Sequence, residues 1–349
     1  MKLIKTYQYR IKDSSHIEEL RRMAGAVNFV WNYCNEWSQK SIQSSSKWLS
    51  EYDLCKLTSG CSAELRLHSQ TVQAICKEYV TRRKQFKKVK LNWRSHKRQL
   101  GWIPFKSVGI KHTVIDTFTY CGIDFKVWYS QPIEGVIKSG SITEDARGRW
   151  YINLQCETVS RNRGKSGLDI GIDLGLKTTA TCSDGTEINH APYAKYEAKL
   201  AMAQRAKKTK LVKTITAKIK NTRKDYLHKE TTKLTNKYDK IYVGNVSPKK
   251  LVKTRMAKSV LDNGWSMLKT MLEYKAVRLG VEYKEVNESF STITCHICLN
   301  KTKQFGGLSG LGVREWDCEY CGHHHKRDVN AAQNILRTGH CAPQGIPLL

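Results

Sequence analysis

The chain has 349 residues, of which 40% are hydrophobic, so it is long enough for two or three globular domains and is not composed like a disordered protein. Its 60 Lys and Arg residues outnumber its 31 Asp and Glu residues, which gives a formal net charge of +29. A folded protein with this charge repels itself unless a polyanion neutralises it. Nucleic acid is therefore the predicted partner, ahead of a generally basic enzyme or an anionic membrane surface.

Membrane and secreted classes are disfavoured by three further features. No apolar stretch approaches the roughly 20 residues of a spanning helix, and the first residues lack the apolar core of a signal peptide. Of the twelve cysteines, eight are scattered and suit buried apolar positions better than a disulfide framework. We therefore expect a cytoplasmic protein with no membrane partner.

The first hundred residues predict one strand followed by helices. Alternation over residues 2–12 places Tyr7, Tyr9 and Ile11 on one strand face. Apolar residues at helical spacing follow from Ile17, and a second helix begins near Ser69. Residues 42–62 are rich in serine and predict a loop or short helices.

Residues 81–98 hold nine basic residues and no acidic one, with Phe86 and Trp93 between them. A run of charge is usually only a solvated face. Uncompensated cations interleaved with aromatic rings favour contact with phosphates and stacked bases instead. The candidate contacts in this run are Arg82, Arg83, Lys84, Lys87, Lys88, Arg94, Lys97 and Arg98.

Residues 100–157 are rich in β-branched and aromatic residues and are punctuated by glycines, which predicts a small β-barrel or sheet. If so, residues 2–12 return to pair with it, and the helices between form an insertion. The polar and basic stretch 158–167 is the best domain boundary in the chain.

The next segments predict three strands, a helix, a strand, a helix and a strand, an order that suggests the RNase H fold. The strands are residues 169–175, 178–183, 186–189, 240–243 and 281–287, and the helices are about 194–237 and 258–278. The first helix carries 14 Lys or Arg and 3 Asp or Glu residues. Its candidate nucleic-acid contacts are Lys207, Lys208, Arg223 and Lys224.

An RNase H-type site needs several carboxylates around one or two magnesium ions, because close like charges ionise together only with a cation between them. Asp173 lies in the first strand of this region, and Asp328 opens a final helix in the stretch RDVNAA. Asp328 is also explained as a simple helix N-cap. Asp173 upstream and the RDVNAA context favour a metal ligand, and Arg327 beside it is a candidate nucleic-acid contact.

Two CxxC pairs, Cys295 with Cys298 and Cys318 with Cys321, are separated by 19 residues. Four thiolates at this spacing typically bind structural zinc, and a redox role is the weaker alternative. His323, His324 and His325 could compete as ligands, but we expect them to be solvated or to touch nucleic acid. We expect the segment 301–314, which is rich in Gly and Lys, to be a mobile loop.

The stretches GIDLG at 171–175 and RDVNAA at 327–332, with the cysteine knuckle between them, resemble the TnpB family of OrfB-type insertion-sequence proteins, relatives of type V CRISPR effectors. The resemblance implies a transposon-encoded bacterial protein that is an RNA-guided, magnesium- or manganese-dependent DNA endonuclease. Guide RNA and target DNA would be its partners, zinc its structural ion, and a monomer or a dimer on one RNA its assembly.

The same resemblance implies a domain organisation. It combines a wedge β-barrel and a helical recognition insertion with a RuvC-like nuclease in an α+β protein. The ranges are 1–12 and 99–160 for the barrel, 13–98 for the insertion, 166–290 and 327–338 for the nuclease, 291–326 for a zinc-knuckle nucleic-acid-binding insertion, and 339–349 for a tail without an assigned role.

One departure from the family pattern concerns the second acidic ligand, which the family usually places in the fourth strand. Gly244 stands there, and glycine has no side chain to hold a metal. Glu288, at the end of the fifth strand, is the candidate replacement. A surface glutamate is the plainer interpretation, and two other functions stay open: a nuclease-dead, RNA-guided DNA-binding regulator and a transposase that cuts and joins DNA itself.

Overall fold

The computed structural model describes residues 2–12, 16–88, 90–95, 97, 99–161, 163–190, 192–246, 263–303 and 312–341. The chain divides into two compact units, Met1–Val159 and Ser160–Leu349. The predicted contact Arg98 lies outside the described residues, and the expected helix 258–278, loop 301–314 and tail 339–349 lie partly outside them.

The first unit is built on a seven-stranded antiparallel sheet in the order β2-β6-β7-β1-β5-β4-β3. Its two edge strands, β2 and β3, follow each other in the chain through one 3₁₀ turn, so the sheet curls into a nearly closed barrel. The N-terminal strand β1 lies between β7 and β5, so the predicted return of residues 2–12 to the sheet is observed. The strands are β1 Lys2–Ile11, β2 Trp102–Lys106, β3 Ile110–Val114, β4 Thr117–Tyr120, β5 Ile123–Trp128, β6 Val136–Glu144 and β7 Trp150–Val159.

Four helices lie between β1 and β2: α1 Ile17–Ser45, α2 Glu51–Leu57, α3 Cys61–Glu64 and α4 Ser69–Phe86. Residues predicted to share a helix or strand face are buried together, because period 3.6 on α1 and period 2 on β1 bring apolar side chains to the same core. The serine-rich region is helical rather than a loop at Glu51–Leu57, where Ser50 and Asp53 form a capping box.

The second unit is built on a five-stranded mixed sheet in the order β10-β9-β8-β11-β12. β8 pairs antiparallel with β9, whereas β11 pairs parallel with both β8 and β12. The carboxyl ends of β8, β11 and β12 therefore lie along one edge of the sheet. The strands are β8 Asp169–Asp173, β9 Ala180–Cys182, β10 Glu187–Ile188, β11 Lys240–Gly244 and β12 Glu282–Val286.

The helices described in this unit are α5 Pro192–Arg205, α6 Thr209–Lys237, α7 Trp265–Leu279 and α8 Arg327–Cys341. The prediction of a single helix over 194–237 is wrong. The helix is interrupted between α5 and α6, where Lys207 adopts a left-handed backbone conformation at φ 51°. The break lets Leu200 and Ala203 of α5 pack against Ile215 and Ile219 of α6. The helix expected from 258 is described from Trp265 onward.

A short antiparallel ribbon, β13 Glu315–Asp317 and β14 His324–Lys326, carries the second CxxC pair and leads directly into α8. None of the helices in the described part of the chain combines the length and apolar character that a membrane crossing needs.

Candidate active site and cysteine knuckle

The carboxyl ends of three parallel strands bring predicted site residues to one edge of the sheet. Asp173 is the last residue of β8, Gly244 is the last residue of β11, and Glu288 follows β12 by two residues. Gly244 is paired with Val286 in the ladder. Residues that are far apart in sequence thus reach one place because parallel strands end together.

Helix α8 carries Asp328 in its first turn and packs on β8. The approach is close at Gly171, where an added Cβ would lie 2.2 Å from the carbonyl oxygen of Ala332 and 2.6 Å from the backbone nitrogen of Leu336. A Cβ added to Gly339 would lie equally close to the ring of Tyr242 on β11. These two glycines allow the helix to lie against the sheet, and this packing brings Asp328 near the end of β8.

The pKa of Asp173 is affected by the charges of the other two carboxylates. Burial, followed by the charges of Glu288 and Asp328, raises the pKa of Asp173 from its ordinary value of 3.8 to about 7, while Arg327 opposes the shift. A strongly raised pKa at the end of a strand, next to two further carboxylates, is typical of a site that a cation completes.

Glu288 points inward and occupies the space over Gly244. A Cβ built on Gly244 would lie 2.2 Å from Oε2 of Glu288. Within the described residues this Oε2 atom is buried and has no hydrogen-bond partner. Burial raises the pKa of Glu288, while the charge of Lys269 and a hydrogen bond from the backbone of Val246 oppose the shift. The surface-glutamate interpretation therefore does not fit the structure.

The four cysteines of the two CxxC pairs meet. Their sulfur atoms all lie within 4.8 Å of one another, with Cys295 Sγ 3.7 Å from Cys321 Sγ and Cys298 Sγ 3.5 Å from Cys318 Sγ. A hydrogen bond from the backbone of Asn300 is the main cause that lowers the pKa of the Cys298 thiol, to about 7. This arrangement can hold one tetrahedral metal ion.

One expectation about the histidines is wrong. His325 is buried rather than solvated, since it is 2% exposed and packs on Trp316. Its Nε2 atom lies 3.1 Å from Cys295 Sγ. Burial and the neighbouring histidines lower its pKa to about 4, so its imidazole is neutral near pH 7. His324, in contrast, is exposed and hydrogen-bonds Asp317.

Two family models match the second unit and the end of the first. One, described as "Cas12f1-like, TNB domain", matches residues 265–335, and the other, OrfB_IS605, described as "Probable transposase", matches residues 153–255. The chain is 26% identical to a "Putative RNA-guided DNA endonuclease" of Streptomyces pristinaespiralis, over 96% of this chain and 89% of that protein. It is also 26% identical to the "Putative RNA-guided DNA endonuclease InsQ" of Escherichia coli K12, over 97% of this chain and 93% of that protein.

These matches support the resemblance of the chain to the TnpB family. A solved structure, titled as a Cas12f1–sgRNA–target DNA complex, aligns with a TM-score of 0.64 and 12% identity, covering 96% of this chain and 98% of that one. At this identity the likeness concerns the fold alone. The chain therefore has a Cas12f-like α+β fold with a nearly closed barrel and a four-cysteine cluster.

The basic residues predicted to contact nucleic acid divide into a buried or half-buried group and an exposed group among the described residues. Arg83 is buried at 2% exposure, stacks on Trp48 and donates a hydrogen bond to the carbonyl oxygen of Leu49, so this prediction is wrong in the described state. Arg94 is half-buried and bonds Asn28. The half-buried Arg223 and Arg327 also make contacts within the fold. The exposed members are Arg82, Lys84, Lys87, Lys88, Lys97, Lys207, Lys208 and Lys224.

Two cations beside the carboxylates were not predicted from the sequence. Lys269 of α7 is 8% exposed and donates to Glu285 at 2.7 Å, and its charge reaches Glu288. The available signal was the helical spacing that places Lys269 on the same face of α7 as the apolar Trp265 and Leu272. Arg314 pairs with Asp328 at 3.3 Å, and nothing in its local sequence marks it.

Two asparagines of α8 fix the knuckle to the helix. The Nδ2 atoms of Asn330 and Asn334 both donate to the backbone carbonyl oxygens of Ser291 and Thr294. Both asparagines are buried. The start of the knuckle is therefore hydrogen-bonded to α8 at Asn330, which follows Asp328 by two residues in the sequence.

Proposed function

We propose that this chain is a transposon-encoded, RNA-guided DNA endonuclease whose second unit is a RuvC-like nuclease. The observation that carries the proposal is the meeting of Asp173, Glu288 and Asp328 at one edge of a mixed sheet, where burial, followed by the charges of the other two carboxylates, raises the pKa of Asp173. The names of two relatives that span nearly the whole chain support the same activity.

The residues present fit a hard divalent cation. Carboxylate oxygens are the ligands that magnesium prefers, and the buried, unpartnered Oε2 of Glu288 supplies an oxygen that a cation would satisfy. Magnesium or manganese, when bound, activates the attacking water and stabilises the leaving oxygen of the phosphodiester. Asp173, Glu288 and Asp328 would hold it.

The neighbouring cations act on the carboxylates before substrate arrives. The charge of Lys269 opposes the rise that burial causes in the pKa of Glu288, and Arg314 pairs with Asp328 at 3.3 Å. Arg327, at the start of α8, opposes the rise in the pKa of Asp173 and can neutralise a phosphate at the same edge.

The cysteine cluster fits structural zinc. Four sulfur atoms within 4.8 Å of one another form the donor set of a closed tetrahedral site, and no other ligand is needed. Zinc would hold residues 291–326 in shape beside the cleavage site. Because Asn330 and Asn334 join this segment to α8, its order also steadies Asp328.

The remaining organisation follows from charge and fold. A net charge of +29 suits a protein that holds an RNA–DNA duplex through its phosphates while base pairing supplies sequence specificity. We assign residues 1–12 and 99–160 to a wedge domain and 13–98 to a recognition insertion. Residues 166–290 and 327–338 form the nuclease, and 291–326 the knuckle. Guide RNA and target DNA are the partners.

The decisive experiment mixes the purified ribonucleoprotein, matched DNA and magnesium. We expect guide-dependent double-strand breaks from the wild type and a loss of more than about 100-fold for Glu288→Ala, with DNA binding retained, because a metal ligand is removed. Glu187→Ala is the matched control, since Glu187 is exposed at the far edge of the same sheet.

A position swap tests whether Glu288 replaces the absent carboxylate. In Gly244→Glu combined with Glu288→Gly, the new side chain enters the space that Glu288 now fills, so part of the cleavage should return. Full cleavage by Glu288→Ala would remove this residue from the mechanism. Binding without breaks by the wild type would support the regulator, and guide-independent joined products would support the transposase.

A further inference from the structure

Three histidines of the knuckle segment form a second cluster of potential ligands. One ligand atom from each of His296, His323 and His325 lies within 4.8 Å of the other two. The ring centroids are 4.9 Å apart for His296 and His325, 4.7 Å for His323 and His325, and 5.7 Å for His296 and His323. The three come from the first CxxC pair, the turn after the second pair and strand β14, so the fold gathers them from separate segments.

The hydrogen bonds around His296 determine which of its nitrogens is available. Nδ2 of Asn330 donates to the backbone carbonyl oxygen of Thr294, and Oδ1 of Asn330 accepts from the backbone nitrogen of His296 at 3.0 Å. The orientation of the amide is thereby fixed. Nδ1 of His296 lies 3.0 Å from the same Oδ1, so it carries the proton and donates. Nε2 is left with a free lone pair, as in a metal-binding histidine held by an outer acceptor.

His325 is oriented by a sulfur atom. Its Nε2 lies 3.1 Å from Sγ of Cys295. If Cys295 is a zinc-bound thiolate, Nε2 must be the donor, which leaves Nδ1 unprotonated. This step rests on the proposed function of the cysteine cluster. In two of the three imidazoles, one nitrogen therefore donates a hydrogen bond and the other nitrogen keeps its lone pair.

We propose that His296, His323 and His325 form a second metal site, separate from the four cysteines, for a divalent transition ion of the zinc, cobalt or nickel class. Neutral imidazole nitrogens are the ligands such ions prefer, and hard cations such as magnesium do not select them. His323 is exposed, so ions reach the site from solvent, and water completes the coordination.

A bound ion would draw the three donors together. Zinc–nitrogen bonds of about 2.0–2.1 Å require a closer approach than the present separations, and exposed His323 is free to rotate inward. The ion would link both turns of the knuckle to Asn330 on α8, two residues from Asp328.

The test is a cobalt titration of the metal-stripped full chain in excess magnesium, which keeps cobalt from the carboxylates of Asp173, Glu288 and Asp328, and it is monitored by absorption and by metal analysis. We expect two equivalents of cobalt in the wild type and one in His323→Ala, with the thiolate-to-cobalt charge-transfer band intact in both. His324→Ala is the matched control and should keep two equivalents, because His324 is a neighbouring exposed histidine outside the cluster that hydrogen-bonds Asp317.

A single equivalent in the wild type that shows the thiolate charge-transfer band, or equal cobalt in His323→Ala and His324→Ala, overturns the proposal. The cysteine assignment fails separately: loss of the thiolate charge-transfer band in the wild type, with an imidazole-bound cobalt remaining, would reject zinc at the cysteines but not the histidine site. Neither readout depends on DNA cleavage, so a protein without nuclease activity can still contain the second site.

Discussion

At the scale of single residues, the inward position of Glu288 depends on the absence of a side chain at Gly244. Glycine in the fourth strand first suggests a lost catalytic ligand, but the absent side chain is what gives Glu288 room to turn inward. Oε2 of Glu288 lies where a Cβ at position 244 would clash. The two positions therefore depend on each other, and a carboxylate can be supplied from the adjacent strand.

Asp173 makes the stability of the metal-free protein depend on pH. Its folded-state pKa of about 7 lies above the ordinary value of 3.8, so the folded state keeps a proton that the unfolded chain has released. Stability is therefore expected to fall as pH rises from about 4 to 7. In the absence of metal, Asp173→Asn should stabilise the fold by about 2–4 kcal/mol at pH 8 and by little at pH 4.

Hydrogen exchange of β8 and α8 at the two pH values measures this difference. Asp169→Asn is the control, because Asp169 lies at the other end of β8 and pairs with Lys240 and His340. Saturating magnesium should favour the wild type, since only the aspartate can bind the ion. An equal gain from both variants at pH 8 would contradict a special role for the environment of Asp173.

At the scale of elements, the contact between α8 and the central strand decides where Asp328 lies. The contact depends on Gly171, whose missing Cβ leaves space for the backbone of Ala332 and Leu336. Backbone atoms cannot rotate away as a side-chain tip can. Any side chain at position 171 must therefore displace the helix.

We expect Gly171→Ala to destabilise the second unit by at least about 2 kcal/mol and to reduce cleavage, because overpacking moves Asp328 away from Asp173. Gly164→Ala is the control, since nothing lies within 4 Å of a Cβ at that exposed position. Thermal unfolding and cleavage rates measure both effects. Unchanged stability in Gly171→Ala would mean that the helix does not pack as described.

At the scale of the whole molecule, charge determines the partner class, but exposure determines which cations are available. Lys84, Lys87 and Lys88 are exposed and make no ion pair within the described ranges. Lys40, Lys138 and Lys233 are each paired with a nearby glutamate. Unpaired lysines release more counterions when they meet phosphate, because no carboxylate competes for them.

Replacing Lys84, Lys87 and Lys88 together by alanine should weaken RNA binding. Each lost phosphate contact lowers the steepness of log affinity against log salt by about 0.7–0.9, so the slope should become shallower by about two to three. Replacing Lys40, Lys138 and Lys233 should change the slope by less. Filter binding across a salt series measures both triple variants. Equal slopes for the two would argue against contact at the end of α4.

The sequence by itself determined the features that local pattern and spacing encode. The two CxxC pairs, the strand that carries Asp173, and the order of strands and helices in the second unit follow from periodicity, turn residues and ligand spacing, which act over a few residues. The apolar stripe of α1 was predictable for the same reason. The break at Lys207 was not, because it depends on how α5 packs on α6.

Only the tertiary structure decided which side chains meet. The inward turn of Glu288 over Gly244, the burial of Arg83 within a basic run, and the clustering of His296 with His323 and His325 all join residues from different elements. Sequence patterns report which face of an element is apolar. They do not report which partner covers that face, since that depends on the simultaneous packing of every neighbouring side chain.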